Sequence, residues 1–145
     1  EPEAFITELV RVVKPGGRII LSSPNFFRAI GFRDYHPKMR GINNKYKNWQ
    51  RLRAKRQQIA DNPNTVRFDR MEPIVRETFQ PDDDAIVATN GLEIKFFLEQ
   101  NGCEVCSVEC TDRHVPKLID FTLNLGPWRY LMFNAFITAK KTSHS

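Results

Sequence analysis

The chain has 145 residues, 41% hydrophobic and 27% charged, which describes one globular domain with a real core and excludes a disordered or collagen-like polypeptide. No apolar run approaches the roughly 20 residues of a membrane-spanning helix, so the sequence predicts no span. The formal net charge of +5 comes mostly from one basic segment and describes a patch, not the whole surface.

The first element is a helix. Phe5, Ile6, Leu9, Val10, Val12 and Val13 recur at helical spacing, Pro2 sits where the first turn needs no amide donor, and Pro15 with Gly16-Gly17 ends it. Arg18 to Ser22 then forms a short apolar strand, and Ser22-Ser23-Pro24-Asn25 a polar loop at its carboxyl end. The residues LVRVVKPGGRIILSSPN resemble the fifth-strand region of class I S-adenosylmethionine-dependent methyltransferases.

That resemblance implies a Rossmann-like α/β fold with sheet order 3-2-1-4-5-7-6, the seventh strand running antiparallel between the fifth and sixth. This chain would supply a mixed sheet in 5-7-6 order. It also implies S-adenosylmethionine as cofactor, held in the family by a glycine-rich turn after the first strand and an acidic residue after the second. Both are missing here. The seven glycines, Gly16, Gly17, Gly31, Gly41, Gly91, Gly102 and Gly126, contain no G-x-G-x-x-G spacing. The chain is therefore expected to be the C-terminal portion of a longer enzyme, lacking roughly the first four strands of the sheet, or a truncated relative. Alone, it should neither bind the cofactor tightly nor turn over.

Residues 26–88 read as an insertion within a single domain of residues 1–145. Its first part mixes aromatics, prolines and glycines and predicts loop with short helical turns. Lys45 to Ala60 predicts a helix, with Trp49, Leu52, Arg56 and Ile59 near one stripe and Lys45, Lys47, Arg51, Arg53 and Lys55 crowding the other positions. Asn62-Pro63-Asn64 stops it, and Pro73 and Pro81 break the stretch from Val66 to Asn90 into short pieces.

Regular structure resumes at Thr89-Asn90, a helix cap, and the helix ends at Asn101-Gly102. CEVCSVECT is the next strand. Its period of two puts Cys106 and Cys110 on one face with Val108, and Cys103 on the other. The Cys-x2-Cys-x3-Cys spacing lacks a histidine of zinc-site type, with His114 the sole candidate, so the three thiols read as reduced, packed cysteines of a cytoplasmic protein. Val115 to Leu125 predicts a short helix with Leu118, Ile119, Phe121, Thr122 and Leu125 inward. Leu131 to Ala139 is the last strand, with Phe133, Ala135, Ile137 and Ala139 on one face, and Thr142 to Ser145 has the composition of a disordered tail.

Ligands on open α/β sheets gather at the carboxyl ends of the parallel strands, so Ser23 and Asn25 are the candidates to orient a methyl acceptor by hydrogen bonds. Arg33-Asp34-Tyr35-His36-Pro37 comes soon after in the chain. His36 is the candidate general base, because imidazole titrates near neutrality, and Tyr35 the candidate substrate-contacting aromatic. The basic helix can be a solvated lid face, or can meet nucleic acid, an anionic surface or ligand phosphates. Asp82-Asp83-Asp84 reads as a solvated turn or a cap, not a metal site. In the family, insertions here set acceptor choice, which points to a small-molecule, sugar or lipid-linked acceptor. Two rival readings are a noncatalytic α/β binding or scaffold module engaging nucleic acid or protein, and a nucleic-acid methyltransferase. The free edge of Arg18 to Ser22 invites a dimer.

Overall fold

A computed structural model describes residues 1–31, 34, 36–111, 115–132 and 134–142, with Pro127 described by its backbone alone. Arg33, Tyr35, His114, Phe133 and residues 143–145 lie outside the described residues. The elements are α1 (Pro2–Val12), β1 (Arg18–Pro24), α2 (Ile42–Asp61), β2 (Asp69–Arg70), β3 (Val87–Ala88), α3 (Gly91–Gln100), β4 (Cys103–Thr111), α4 (Lys117–Asn124) and β5 (Asn134–Lys141), with 3-10 turns at Pro37–Met39, Pro63–Thr65 and Pro127–Leu131.

The protein is a mixed α/β domain around a three-stranded antiparallel sheet of order β1-β5-β4. The last strand lies in the middle and runs antiparallel to both neighbours, with Ile19 opposite Ala139 and Val108 opposite Ile137. The expectation of a mixed sheet is corrected here. All pairings are antiparallel because β1 and β4, which run in the same direction, are separated by β5. A second, two-stranded ribbon pairs Asp69 with Ala88 and Arg70 with Val87, closing the insertion on itself.

One sheet face carries the core. Ile19, Ala135, Ile137, Ala139, Val108 and Cys110 pack under Ile6 and Val10 of α1 and Ile94, Phe97 and Leu98 of α3, with Val66 and Phe68 from the insertion. The first turn of α3 approaches the sheet so closely that a Cβ on Gly91 would lie 3.1 Å from that of Ala135, which explains a small residue there. Lys141 Nζ donates to Val10 O and Val13 O, both at 3.0 Å, so a cation satisfies the carbonyl end of α1. Phe5 and Val12, on the helical stripe of the sequence, are exposed. Thr142 is not frayed: its amide and hydroxyl both donate to Gly102 O, at 3.0 and 2.8 Å.

Three further expectations are corrected. Cys106 does not share a face with Cys110, because a β-bulge between Val105 and Ser107 resets the alternation of β4, burying Cys103 and Cys110 and turning Cys106 to solvent. The apolar side of α4 is not inward: Leu118, Ile119, Phe121 and Leu125 are exposed. The helix instead lies against the outer edge of β4, where Asn124 accepts from Cys110 N at 2.9 Å and donates to Cys110 O at 3.0 Å. Nor is the acidic run a solvated turn throughout. Asp83 is buried, pairs with Arg76 and accepts from Gln80 N at 2.7 Å; the cation supplied seven residues earlier is what lets a carboxylate enter the interior.

Candidate functional site

The carboxyl end of β1 leads into Asn25, Phe26, Phe27 and Arg28, all buried. The apolar pair starts a second cluster, in which Phe26, Phe27, Met39, Leu52, Met71 and Leu131 join the end of β1 to the insertion. This cluster holds α2 over the strand end, so the predicted site residues sit at the seam between sheet and insertion.

Ser23 shares a 2.6 Å hydroxyl-hydroxyl hydrogen bond with Thr89, which also donates to Pro24 O at 2.9 Å. Asn25 is wholly buried and its polar atoms are engaged. Its Nδ2 donates to Tyr130 O and Met132 O, both at 2.6 Å, and its Oδ1 accepts from Phe27 N at 3.1 Å. The side chain is therefore a strut between the end of β1 and the segment leading into β5. His36, 1% exposed, caps the Pro37–Met39 turn by accepting from Lys38 N through Nδ1 at 3.2 Å. That acceptor role places the ring proton of the neutral imidazole on Nε2, which is buried with no hydrogen-bond partner among the described residues. The ring meets Phe26 edge-on at 5.1 Å. Burial holds the imidazole below its ordinary range, aided by Lys38 and opposed by Asp83 and Asp82. Tyr35 lies outside the described residues.

The segment anchored by Asn25 borders a cleft of about 230 Å³ lined by Trp49, Leu52, Arg53 and Arg56 of α2 and by Trp128 and Leu131. Its cations are held by rings: Arg53 lies 5.2 Å from the Trp49 centroid and Arg56 5.5 Å from that of Tyr130. Helical spacing explains the wall, since Trp49, Arg53 and Arg56 share one face of α2. No known protein family, curated protein or solved structure matches this chain.

A second buried polar centre escaped the sequence reading. Lys55, expected among the solvated cations of α2, is 9% exposed. Its Nζ lies 2.7 Å from Glu93 Oε1 and 2.9 Å from an Asp69 oxygen, and donates to Arg67 O. Glu93 is wholly buried, and burial pushes its carboxyl up to about 7 although Lys55 pulls the other way. Burial lowers Lys55, but the hydrogen bonds and charges of Glu93 and Asp69 more than offset it and hold the ammonium above its ordinary range. The two directions agree physically, because the ammonium faces two carboxylates while Glu93 faces one ammonium. Asn90 caps α3 through Glu93 N at 3.0 Å and also donates to the Glu93 carboxylate. The N-cap asparagine with glutamate three residues later was the available signal.

Lys45 is likewise no free surface charge. It pairs with Asp34 at 3.1 Å and donates to Gly31 O, while the buried Arg28 pairs with the same carboxylate at 3.3 Å. No group of three or more metal-ligating side chains occurs among the described residues, and no helix among them is long and apolar enough to cross a membrane.

Proposed function

We propose that this chain is the C-terminal part of an S-adenosylmethionine-dependent methyltransferase acting on a small-molecule, sugar or lipid-linked acceptor. The observation that supports the reading is the sheet order β1-β5-β4, whose middle strand is the last in the chain and antiparallel to both neighbours, as a 5-7-6 arrangement would require. The helices α1 and α3 packed on one side of that sheet, and the exposed Ile20 and Phe136, agree with a second half of the fold covering the remainder. The cofactor would be held chiefly by that half.

In this reading the acceptor enters the cleft between α2 and the 127–131 turn, where the two tryptophans offer apolar faces suited to a sugar or planar ring and the arginines offer donors. Methyl transfer is an in-line displacement in which the protein chiefly holds donor and acceptor together. Ser23 and Thr89 are paired hydroxyls at the end of β1, Asn25 fixes the segment that follows that strand, and His36 is the neutral imidazole available to take a proton. Its lone pair lies on Nδ1 and is engaged by Lys38 N, so that hydrogen bond must open for the ring to take a proton. The location that fits a reduced thiol set is the cytoplasm.

The test is calorimetric titration of S-adenosylhomocysteine into this chain and into a polypeptide extended upstream along its own reading frame. Binding to the extended polypeptide alone supports the proposal. A folded extended protein that binds neither S-adenosylhomocysteine nor S-adenosylmethionine overturns it and leaves the binding or scaffold reading.

A further inference from the structure

Three concavities on the side of α2 away from the tryptophan cleft meet at shared cations. One, of about 250 Å³, is lined by Lys38, Lys47, Asn48 and Arg51; a second, of about 460 Å³, by Arg51, Arg67 and Arg70 with Asp69; a third again by Lys38 and Arg70 with Glu72, so the first alone has no carboxylate in its wall. Arg51 belongs to the first and second, Lys38 to the first and third, Arg70 to the second and third. The three depressions therefore surround one basic centre.

The charges there are uneven. Lys55 is matched by Glu93 and Asp69, and Arg70 by Glu3 at 3.4 Å. Lys38, Lys47 and Arg51 have no carboxylate within ion-pair distance among the described residues. They converge because the sequence holds them so. Lys47 and Arg51 stand one turn apart on α2. Lys38 is carried on a turn fixed from both sides, by His36 Nδ1 on its own amide and by Asn44 Nδ2 donating to Pro37 O and Arg40 O at 3.0 and 2.9 Å. Buried Asn48 ties this stretch of helix to Arg28 O at 3.0 Å.

We propose that Lys38, Lys47 and Arg51 form a binding site for a small ligand bearing one or two phosphate groups. Three cations around a depression suit a compact polyanion, with Arg51 supplying a planar donor fork and the lysines point charges. A nucleic-acid strand fits less well. The aromatic rings of α2, Tyr46 and Trp49, contact each other at 5.8 Å and lie on the other side of the helix, so phosphate contacts and base stacking cannot alternate along one track. The inference does not depend on methyl transfer, and it makes His36 and Asn44 positioning residues for the Lys38 turn.

The experiment is a nuclear magnetic resonance titration of the 145-residue chain with inorganic pyrophosphate and with inorganic phosphate at fixed ionic strength. Saturable shifts grouped at residues 38, 47, 48 and 51 are expected, with pyrophosphate bound more tightly. Lys47→Gln and Arg51→Gln should each weaken binding about tenfold, the size of one lost charge-assisted hydrogen bond, with unchanged circular dichroism. Arg18→Gln, at the start of β1, should leave it within about twofold. Non-saturating shifts, equal losses on Arg18→Gln, or tighter binding of a short single-stranded oligonucleotide than of pyrophosphate would each overturn the site.

Discussion

Lys55 of α2 and Glu93 of α3 meet at 2.7 Å in the interior, and this contact ties the insertion to the sheet domain through charge. An ammonium shared by Glu93 and Asp69, with Asn90 on the far side of Glu93, links α2, the β2 ribbon and the start of α3. The insertion is thereby positioned by a polar centre as well as by the apolar cluster of Phe27, Met39 and Leu52.

Loss of one partner should cost more than a surface ion pair would. Lys55→Met leaves Glu93 buried beside no cation, and breaking such a pair typically costs about 3 kcal/mol or more. We expect that loss in urea denaturation at pH 8, against less than about 0.5 kcal/mol for Lys47→Met on the exposed face of the same helix. Equal values would mean that the buried pair does not anchor the insertion.

The same centre gives a pH dependence with a definite sign. Folded Glu93 holds its proton up to about pH 7, whereas an unfolded glutamate releases it near its ordinary value of 4.5. Folding therefore favours the protonated form, so this group's contribution is full below pH 4.5, declines as pH rises, and is gone above about 7. Glu93→Gln should flatten the denaturation midpoint between pH 5 and 7. A slope identical to that of the parent chain would show that Glu93 is not the titrating group.

Asn25 provides a contrast between a strut and a ligand-facing group. Asn25→Ala removes three hydrogen bonds and leaves the Tyr130 and Met132 carbonyls without this donor. The expected loss is about 3 kcal/mol, compared with about 1 kcal/mol for Ser23→Ala, whose half-buried hydroxyl contacts Thr89 and Pro24 O. A thermal scan that found Asn25→Ala neutral would return the residue to the candidates for substrate contact.

Thiol chemistry reports the bulge in β4 directly. Cys106 is exposed, while Cys103 and Cys110 are buried and burial raises both thiols, that of Cys110 to about 12. At pH 8 a disulfide reagent should titrate one thiol rapidly in the native chain and three after denaturation, with Cys106→Ser abolishing the fast phase. Fast reaction of two native thiols would place Cys106 and Cys110 on the same face after all.

Most of the framework is legible in local signals. The stripe of α1, the Pro15-Gly16-Gly17 stop, the Asn90 cap and the alternation of β5 each state a period or a terminus, and each element forms, although β5 begins at Asn134 and not at Leu131, which ends the Pro127–Leu131 turn. Whatever depends on tertiary surroundings is not. A strand pattern cannot announce a bulge, so a strict period of two puts Cys106 on the wrong face. The apolar spacing of α4 announces amphipathicity, yet no described element covers Leu118 or Phe121. Lys55 looks like any other cation of α2 until Glu93 and Asp69, far away in sequence, arrive beside it. Asn25 looks available for an acceptor because its loop is polar, whereas two carbonyls of the 130–132 segment claim its amide.

The two outer strands differ in how their free edges are treated, and this predicts where the chain meets itself. On β4, Asn124 occupies both backbone groups of Cys110 and Arg129 donates to Val108 O at 3.3 Å. On β1 the strand RIILSSP has β5 on one side and no strand on the other among the described residues, with Ile20 61% exposed. An unprotected apolar edge pairs readily, whereas a charge on it discourages pairing. Sedimentation velocity over a concentration series should therefore show reversible dimerisation of this chain that Ile20→Lys suppresses and Leu118→Lys, on the exposed face of α4, does not. Suppression by Leu118→Lys instead would move the contact to α4, and a chain monomeric at every concentration would remove the β1 edge as an association surface.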